Sequence, residues 1–249
     1  MARPANCSDA EWQTRLDLAA CYRVFHLLGW TEMIYNHISL RVPGPECHFL
    51  INPFGLHYSE VKASNLLKID LQGQLLCDSP YKINAAGFHP HAALHGGIAD
   101  AHCVMHTHTT AGMAVASSQA GLQITNFYAA QLGGRVAYHD FEGITVHAEE
   151  GTRMVQAIGD KPAVILRNHG LLAWGSRLPG TFYTLWILQR ACEIQLAGAA
   201  LGPAIEITRK VQIKCQADAR RVNTDPDFAR ENFDAMVRLV DRQNPDWRE

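Results

Sequence analysis

Near the N-terminus, apolar residues recur at the spacing of an amphipathic helix. Ser8 and Glu11 stand three positions apart, as in a capping box, just before that apolar stripe. Gly29 follows the stripe and is a suitable residue to end a helix. The pattern therefore predicts a helix over 9–28.

Farther along the chain, short β-branched or alternating stretches are separated by turn residues and by longer helical patterns. Predicted strands cover 37–42, 47–51, 66–71, 74–77, 103–107, 136–141, 163–166 and 171–174. Predicted helices cover 88–96, 110–118, 149–158, 181–200 and about 227–243. We interpret this order as one α/β domain over residues 1–200, followed by a C-terminal arm and helix over 201–249.

The predicted helix over 181–200 has apolar residues on nearly every side. So much apolar surface indicates a helix that is buried in the domain or in a contact between subunits. Two coverings are open at this point: a second copy of the chain in a symmetric oligomer, or the arm after Gly202 folding back.

Composition and charge exclude several classes of protein. The chain has 249 residues, of which 47% are hydrophobic, and its formal net charge is -2. These values argue against global disorder and against electrostatic binding to nucleic acid or to a membrane surface. The start lacks the apolar core of a secretory signal, and no apolar run is long enough to cross a bilayer. With seven scattered cysteines and no C-x-x-C, we expect a cytoplasmic protein with reduced thiols.

The histidines are the residues that suggest a metal-binding site. His106 and His108 lie at the end of a predicted strand, where side chains at i and i+2 point to the same face. His169 stands in an Asn-His-Gly turn between two short strands. Three imidazoles with an open fourth position suit one divalent ion, zinc above all, with iron or manganese as alternatives. The other interpretation is that His106 and His108 form a strand-end pair whose imidazoles only make structural hydrogen bonds with neighbouring groups.

Several long segments together resemble the class II aldolase and adducin family. They are YNHISLRV, INPFGLHYSEVKASNLLKIDLQG, MHTHT and LRNHGLLAWG, in this order along the chain. The resemblance implies a three-layer α/β/α fold with a largely antiparallel central sheet. It also implies a homotetramer with active sites between subunits, and a metal site formed by His106, His108 and His169.

The sequence also departs from the aldolase branch of that family. Gly87 stands where the aldolases have a glutamate that serves as metal ligand or acid/base. Ala85, Ala86 and Phe54 stand where hydroxyl side chains bind the substrate phosphate. The same changes occur in the adducin branch. Loss of these donors argues against a phosphorylated sugar as substrate.

Further site residues follow from the resemblance. His91 lies on the short helix near the metal, and Tyr128 lies beside the position of an aldolase tyrosine that Phe127 takes; both are candidate catalytic residues. Asn36 and Gly55 match substrate-binding positions. Two of these residues also have a structural interpretation. His91 could serve in helix packing, and Asn36 could form hydrogen bonds with the backbone at a corner.

Two functional hypotheses come from these observations. The first is a divalent-metal-dependent lyase, aldolase-like or decarboxylase-like, acting on a small non-phosphorylated carbonyl or carboxylic compound. A metal held by neutral ligands keeps its positive charge, so we expect an anionic substrate. The second is a non-catalytic, adducin-head-like oligomerisation module with a residual metal site. Cytoskeletal binding is not expected, because no basic tail is present.

Overall fold

A computed structural model describes residues 3–4, 6–144, 148–223 and 225–249. Within these residues seven strands form a single sheet with the order β3-β2-β1-β4-β7-β6-β5. Their bounds are β1 His37–Arg41, β2 Phe49–Ile51, β3 Leu67–Ile69, β4 Cys103–Thr107, β5 Val136–His139, β6 Ala163–Leu166 and β7 Gly170–Gly175.

The sheet is mixed. β5 pairs with β6 in parallel, whereas the other neighbouring strands are antiparallel. The expectation of a largely antiparallel sheet needs this correction at the β5 edge. Helix α5 links β5 to β6, and a helical crossover is the connection that lets two strands run in the same direction.

The helices account for the outer layers. Their bounds are α1 Asp9–Leu28, α2 Ala85–Gly97, α3 Thr110–Ala116, α4 Phe127–Leu132, α5 Ala148–Ile158, α6 Leu178–Gly198, α7 Arg209–Asn223 and α8 Pro226–Gln243. Among the described residues, none of these helices is both long and apolar enough to span a bilayer.

Alternate residues of the central strands pack on opposite faces of the sheet. Met105 of β4 joins the core beneath α1, α3, α6 and α8, and Val104 joins the core beneath α2 and α5. The expected α/β/α layers are therefore present. His106 shares the face of Val104, so its side chain points toward the α2 side.

Helix α1 has the predicted bounds, and its two ends show why. The Ser8 hydroxyl accepts a hydrogen bond from the Glu11 amide, and Gly29 ends the helix with a left-handed φ of 73°. The reciprocal half of the capping box is missing, because the Glu11 carboxylate bonds Arg15 and Lys68 instead.

Other predicted elements differ from the structure. The predicted strand over 74–77 is reduced to one isolated bridge between Ile69 and Leu75. Helix α2 begins at Ala85, where Asn84 caps it, so Pro90 lies in the helix interior rather than in the first turn. Helices α4 and α7 were not predicted. Helix α4 has only six residues, too few to show an apolar period. Helix α7 is strongly polar, and its narrow apolar face consists of Val211, Cys215, Ala219 and Val222.

Much of the apolar surface of helix α6 is covered from within the chain. Phe182 on α6 meets Phe233 on α8 edge to face, with ring centroids 5.5 Å apart, and Phe233 is only 1% exposed. Of the two coverings that the sequence leaves open, the structure shows the fold-back of the C-terminal segment. Near the C-terminal end of α6, Ile194 and Leu196 stay 37% and 43% exposed, so the fold-back accounts for only part of its apolar surface.

Candidate metal centre and its pocket

Three histidines meet where the end of β4 lies beside the turn between β6 and β7. His106 and Thr107 pair with Leu172 and Leu171 across the antiparallel ladder. The turn needs two special residues. Asn168 adopts a left-handed φ of 55°, and Gly170 leaves room because a Cβ there would lie 2.3 Å from the Thr107 carbonyl oxygen.

The ligand atoms of His106, His108 and His169 all lie within 4.8 Å of one another. The Nε2 atoms of His106 and His108 are 2.7 Å apart. Ring centroids lie 4.8 Å apart for His106 and His169, and 4.9 Å apart for His108 and His169. The structure thus brings together the three residues that the sequence singled out.

The chemistry of these rings fits a divalent cation. His106 Nδ1 lies 2.8 Å from the Leu171 carbonyl oxygen, which can only accept, so Nδ1 carries the proton and Nε2 keeps its lone pair. Burial lowers the pKa of His106 far below that of a free imidazole and lowers that of His108 as well. Burial, followed by His108 and His139, lowers the pKa of His169 to about 4. Neutral imidazoles are the form that binds metal ions.

Asn36 holds the backbone of this centre in place. It is fully buried, its Nδ2 donates to the Trp30 carbonyl oxygen at 2.9 Å, and its Oδ1 accepts from the His108 amide at 2.9 Å. Both polar ends of the side chain are therefore engaged by backbone groups. The structure gives Asn36 a supporting role beneath His108, and its contact with a substrate stays a prediction.

A pocket of about 430 Å³ opens above the three histidines. Its wall is mostly apolar or aromatic and includes Tyr35, Met113, Phe141 and Ile144. Among the described residues that line it, none has a carboxylate, an ammonium or a guanidinium group. A cation at the histidines would therefore be the dominant charge in the pocket.

The sequence profile of the class II aldolase and adducin N-terminal domain matches residues 16–196. The chain belongs to this family.

Two bacterial members of the class II aldolase and adducin family are similar over nearly the whole chain. A Pseudomonas aeruginosa protein whose name assigns it provisionally to the class 2 aldolases is 42% identical over 249 residues, covering 98% of this chain and 95% of that protein. The crystal structure of an aldolase II superfamily protein from Pseudomonas syringae superimposes with a TM-score of 0.94. It is 40% identical and covers 98% of both chains.

The adducins are similar as well, but over only part of their length. Rat alpha-adducin is 39% identical over 241 residues, which cover 91% of this chain and 33% of the adducin. Both branches of the family are thus represented among the relatives, and similarity alone does not choose between them.

The structure places the other predicted site residues of this family member as follows. His91 is fully buried on α2, and its Nε2 lies 2.8 Å from Nδ1 of His37, which lines the pocket. Tyr128 packs edge to face on Trp186 of α6, with ring centroids 5.4 Å apart. Neither Tyr128 nor Gly55 is among the described residues that line the pocket, and their roles stay predictions.

The aldolase glutamate has no counterpart at its own position, and the structure shows what stands there. Gly87 lies in α2, and a Cβ on it would come within 2.6 Å of the His37 ring. Glu142 pairs with Arg153 and Glu60 accepts from the His57 amide, and neither is among the described residues that line the pocket. Among the described residues, the group beside Gly87 is the imidazole of His37.

Sequence reasoning missed three residues of this region: His37, Ser39 and His95. Their spacing held a usable signal. His37 and Ser39 are two apart on a strand, and His91 and His95 are four apart on a helix, so each pair shares one face. Two polar pairs on the buried faces of neighbouring elements indicate a connected polar network.

Proposed function

We propose that this protein is a divalent-metal-dependent lyase that acts on a small, non-phosphorylated carbonyl or carboxylic compound. The observation that supports it is the convergence of the His106, His108 and His169 ligand atoms within 4.8 Å beside an open pocket. A divalent ion held there would act as a Lewis acid toward a substrate carbonyl or carboxylate oxygen. Zinc is the ion we expect first, with iron or manganese as alternatives.

The residues of the chain prepare this site in three ways. The Leu171 carbonyl sets the tautomer of His106, and Asn36 anchors the His108 backbone. Tyr35, Met113 and Phe141 form an apolar wall against which the body of a substrate would pack. Support of this kind for metal ligands typically contributes tenfold or more to affinity or activity, by order of magnitude.

The same wall supports a substrate class. An anionic head group, such as a carboxylate, would pair with the divalent cation, which would be the only strong charge among the described residues of the pocket. An aromatic or aliphatic body would pack against the apolar walls. A phosphate would find neither an Arg nor a Lys side chain among the described lining residues. We therefore expect 2-keto acids, aldols or hydroxylated aromatic acids to be better substrates than sugar phosphates.

The first test is metal content. Purified protein should carry about one divalent ion per chain by elemental analysis, and His169→Ala should lose most of it. His89→Ala is the matched control, because His89 lies on α2 and lines a different groove. Undiminished metal in His169→Ala would exclude this centre.

The second test is turnover. The metal-loaded protein should convert at least one member of a panel of 2-keto acids, aldols and hydroxylated aromatic acids, and His108→Ala should abolish that turnover. Cleavage of fuculose or ribulose phosphate at a comparable or higher rate would contradict the proposed substrate class.

A second candidate function is a non-catalytic, adducin-head-like oligomerisation module with a residual metal site. The observation that favours it is the 39% identity to rat alpha-adducin together with Gly87 at the position of the aldolase glutamate. Full metal occupancy without turnover of any panel member would favour this candidate. In either case we propose a cytoplasmic homotetramer.

A further inference from the structure

A line of buried polar groups runs from the far side of α2 to the pocket. The His95 Nδ1 lies 2.6 Å from the Ala101 carbonyl oxygen, and the His95 Nε2 lies 2.7 Å from the Ser39 hydroxyl. Ser39 also contacts Nδ1 of His91, whose Nε2 lies 2.8 Å from Nδ1 of His37. His91 and Ser39 are fully buried, and His95 is 1% exposed.

One carbonyl determines the direction of every bond in this line. The Ala101 oxygen can only accept, so His95 carries its proton on Nδ1 and keeps a lone pair on Nε2. Ser39 must then donate to His95 and accept from His91 Nδ1. His91 is left with a lone pair on Nε2, which accepts from His37 Nδ1. His37 therefore presents an unprotonated Nε2.

The free end of the line lies at the candidate site. His37 pairs with His106 across the β1–β4 ladder, and their rings lie 5.0 Å apart. His37 lines the pocket, and its Nε2 has no hydrogen-bond partner among the described residues. Its ring also stands beside Gly87, where the aldolase branch has its carboxylate.

We propose that His37 is a substrate-contacting residue whose Nε2 accepts a hydrogen bond from a hydroxyl of the bound substrate, and that His91, Ser39 and His95 are positioning residues that hold it in this tautomer. The proposal rests on the proposed function, since it places the substrate at the histidine centre. It narrows the substrate class to hydroxy acids and related compounds with an O–H beside the metal-binding oxygen.

The tautomer can be tested without turnover and without metal. In protein labelled with ¹⁵N-histidine, long-range proton–nitrogen NMR should show His37, His91 and His95 each protonated on Nδ1 alone. Ser39→Ala should leave His37 as a mixture of tautomers, whereas Ser64→Ala, which removes a hydroxyl outside this line, should change nothing. A proton on His37 Nε2 in the unmodified protein, or an unaltered His37 tautomer in Ser39→Ala, would overturn the positioning role.

The contact itself is tested by binding, which does not depend on Ser39→Ala folding. Zinc-loaded protein should bind mandelate about five- to tenfold more tightly than α-methoxyphenylacetate, the fold-change of about one hydrogen bond. His37→Phe keeps an aromatic ring beside Gly87 and should abolish this preference while retaining zinc. If His37→Phe preferred mandelate as strongly as the unmodified protein does, or if the unmodified protein showed no preference, the contact would be overturned.

Failure of this inference can be told apart from failure of the proposed function. If the histidine centre does not hold metal, elemental analysis of His169→Ala reveals it, and the tautomer spectrum of His37 is still readable. If metal binds and turnover occurs but His37→Phe keeps the preference for mandelate, only the role of His37 is wrong.

Discussion

Gly87 and His37 occupy neighbouring volumes, and only one of them can have a large side chain. A Cβ at position 87 would lie 2.6 Å from Cδ2 and 3.0 Å from Nε2 of the His37 ring. The ring is held by its bond to His91, so it cannot simply turn away. Glycine at position 87 and histidine at position 37 therefore depend on each other, and a glutamate at 87 would require His37 to move.

We predict that Gly87→Ala destabilises the fold by about 1–3 kcal/mol, because the added methyl group overpacks a rigid site. The control is Gly180→Ala on α6, where a Cβ would meet nothing within 4 Å. That substitution should leave stability unchanged or raise it by about 0.5–1 kcal/mol. Urea denaturation of both variants and of the unmodified protein measures these changes in the free energy of unfolding. Equal stability of Gly87→Ala and the unmodified protein would show that the His37 ring can move away from the added methyl group without loss of stability.

At the scale of elements, a buried ion pair joins α1 to the far edge of the sheet. The Glu11 carboxylate, on a residue that is 4% exposed, accepts from Arg15 at 2.9 Å and from Lys68 of β3 at 2.8 Å. Burial alone would raise the pKa of this carboxyl. Hydrogen bonds from Lys68 and Arg15 outweigh burial and hold the Glu11 pKa below its ordinary value.

A carboxyl whose pKa is lowered by folding stabilises the folded state above its unfolded pKa, and this stabilisation is lost as pH falls through the folded pKa. Glu11→Gln should thus lower the free energy of unfolding at pH 7 by about 3 kcal/mol, because it leaves Arg15 buried without its counter-charge. The difference in unfolding free energy between Glu11→Gln and the unmodified protein should become smaller only below about pH 4, near the unfolded pKa of glutamate.

Urea denaturation across this pH range measures the effect. Asp234→Asn is the control, because Asp234 and Arg230 form a half-exposed pair with an N–O distance of 3.7 Å, and such pairs contribute little. A Glu11→Gln deficit that stays constant down to pH 3 would contradict the assignment of a lowered pKa.

At the scale of the whole molecule, the question is what covers the mouth of the pocket. The fold-back of α8 covers Phe182 of α6 but leaves Ile194 and Leu196 partly exposed. Exposed apolar side chains remain at the pocket, with Tyr35 50%, Phe141 52% and Ile144 78% exposed. Exposed apolar groups clustered at a site mark a contact with a ligand or with another chain.

We predict a closed symmetric oligomer, most simply a tetramer, in which a second copy borders this mouth. Sedimentation at micromolar concentration should show a species of about four chain masses that retains its metal. A stable species of one chain mass, 27.6 kDa, with metal still bound would contradict both the tetramer and a pocket shared between copies.

The sequence by itself determined the features that depend on near neighbours. The bounds of α1 follow from Ser8, the apolar period and Gly29, and the strands over 103–107 and 163–166 follow from short apolar runs. The i, i+2 spacing predicts that His106 of β4 and His108, one residue beyond its end, point to the same side. These are local rules, because caps, periodicity and pleat act within a few residues.

Only the tertiary structure decided what the distant segments do to one another. It paired β5 with β6 in parallel, laid α8 over α6, and joined His37 to His91 across 54 positions of sequence. It also explained Gly170, whose need for space comes from Thr107 rather than from its own turn. Hydrogen bonds and steric exclusion between remote residues depend on the packed geometry. Spacing along the chain indicates which face of an element is polar, but not which faces meet.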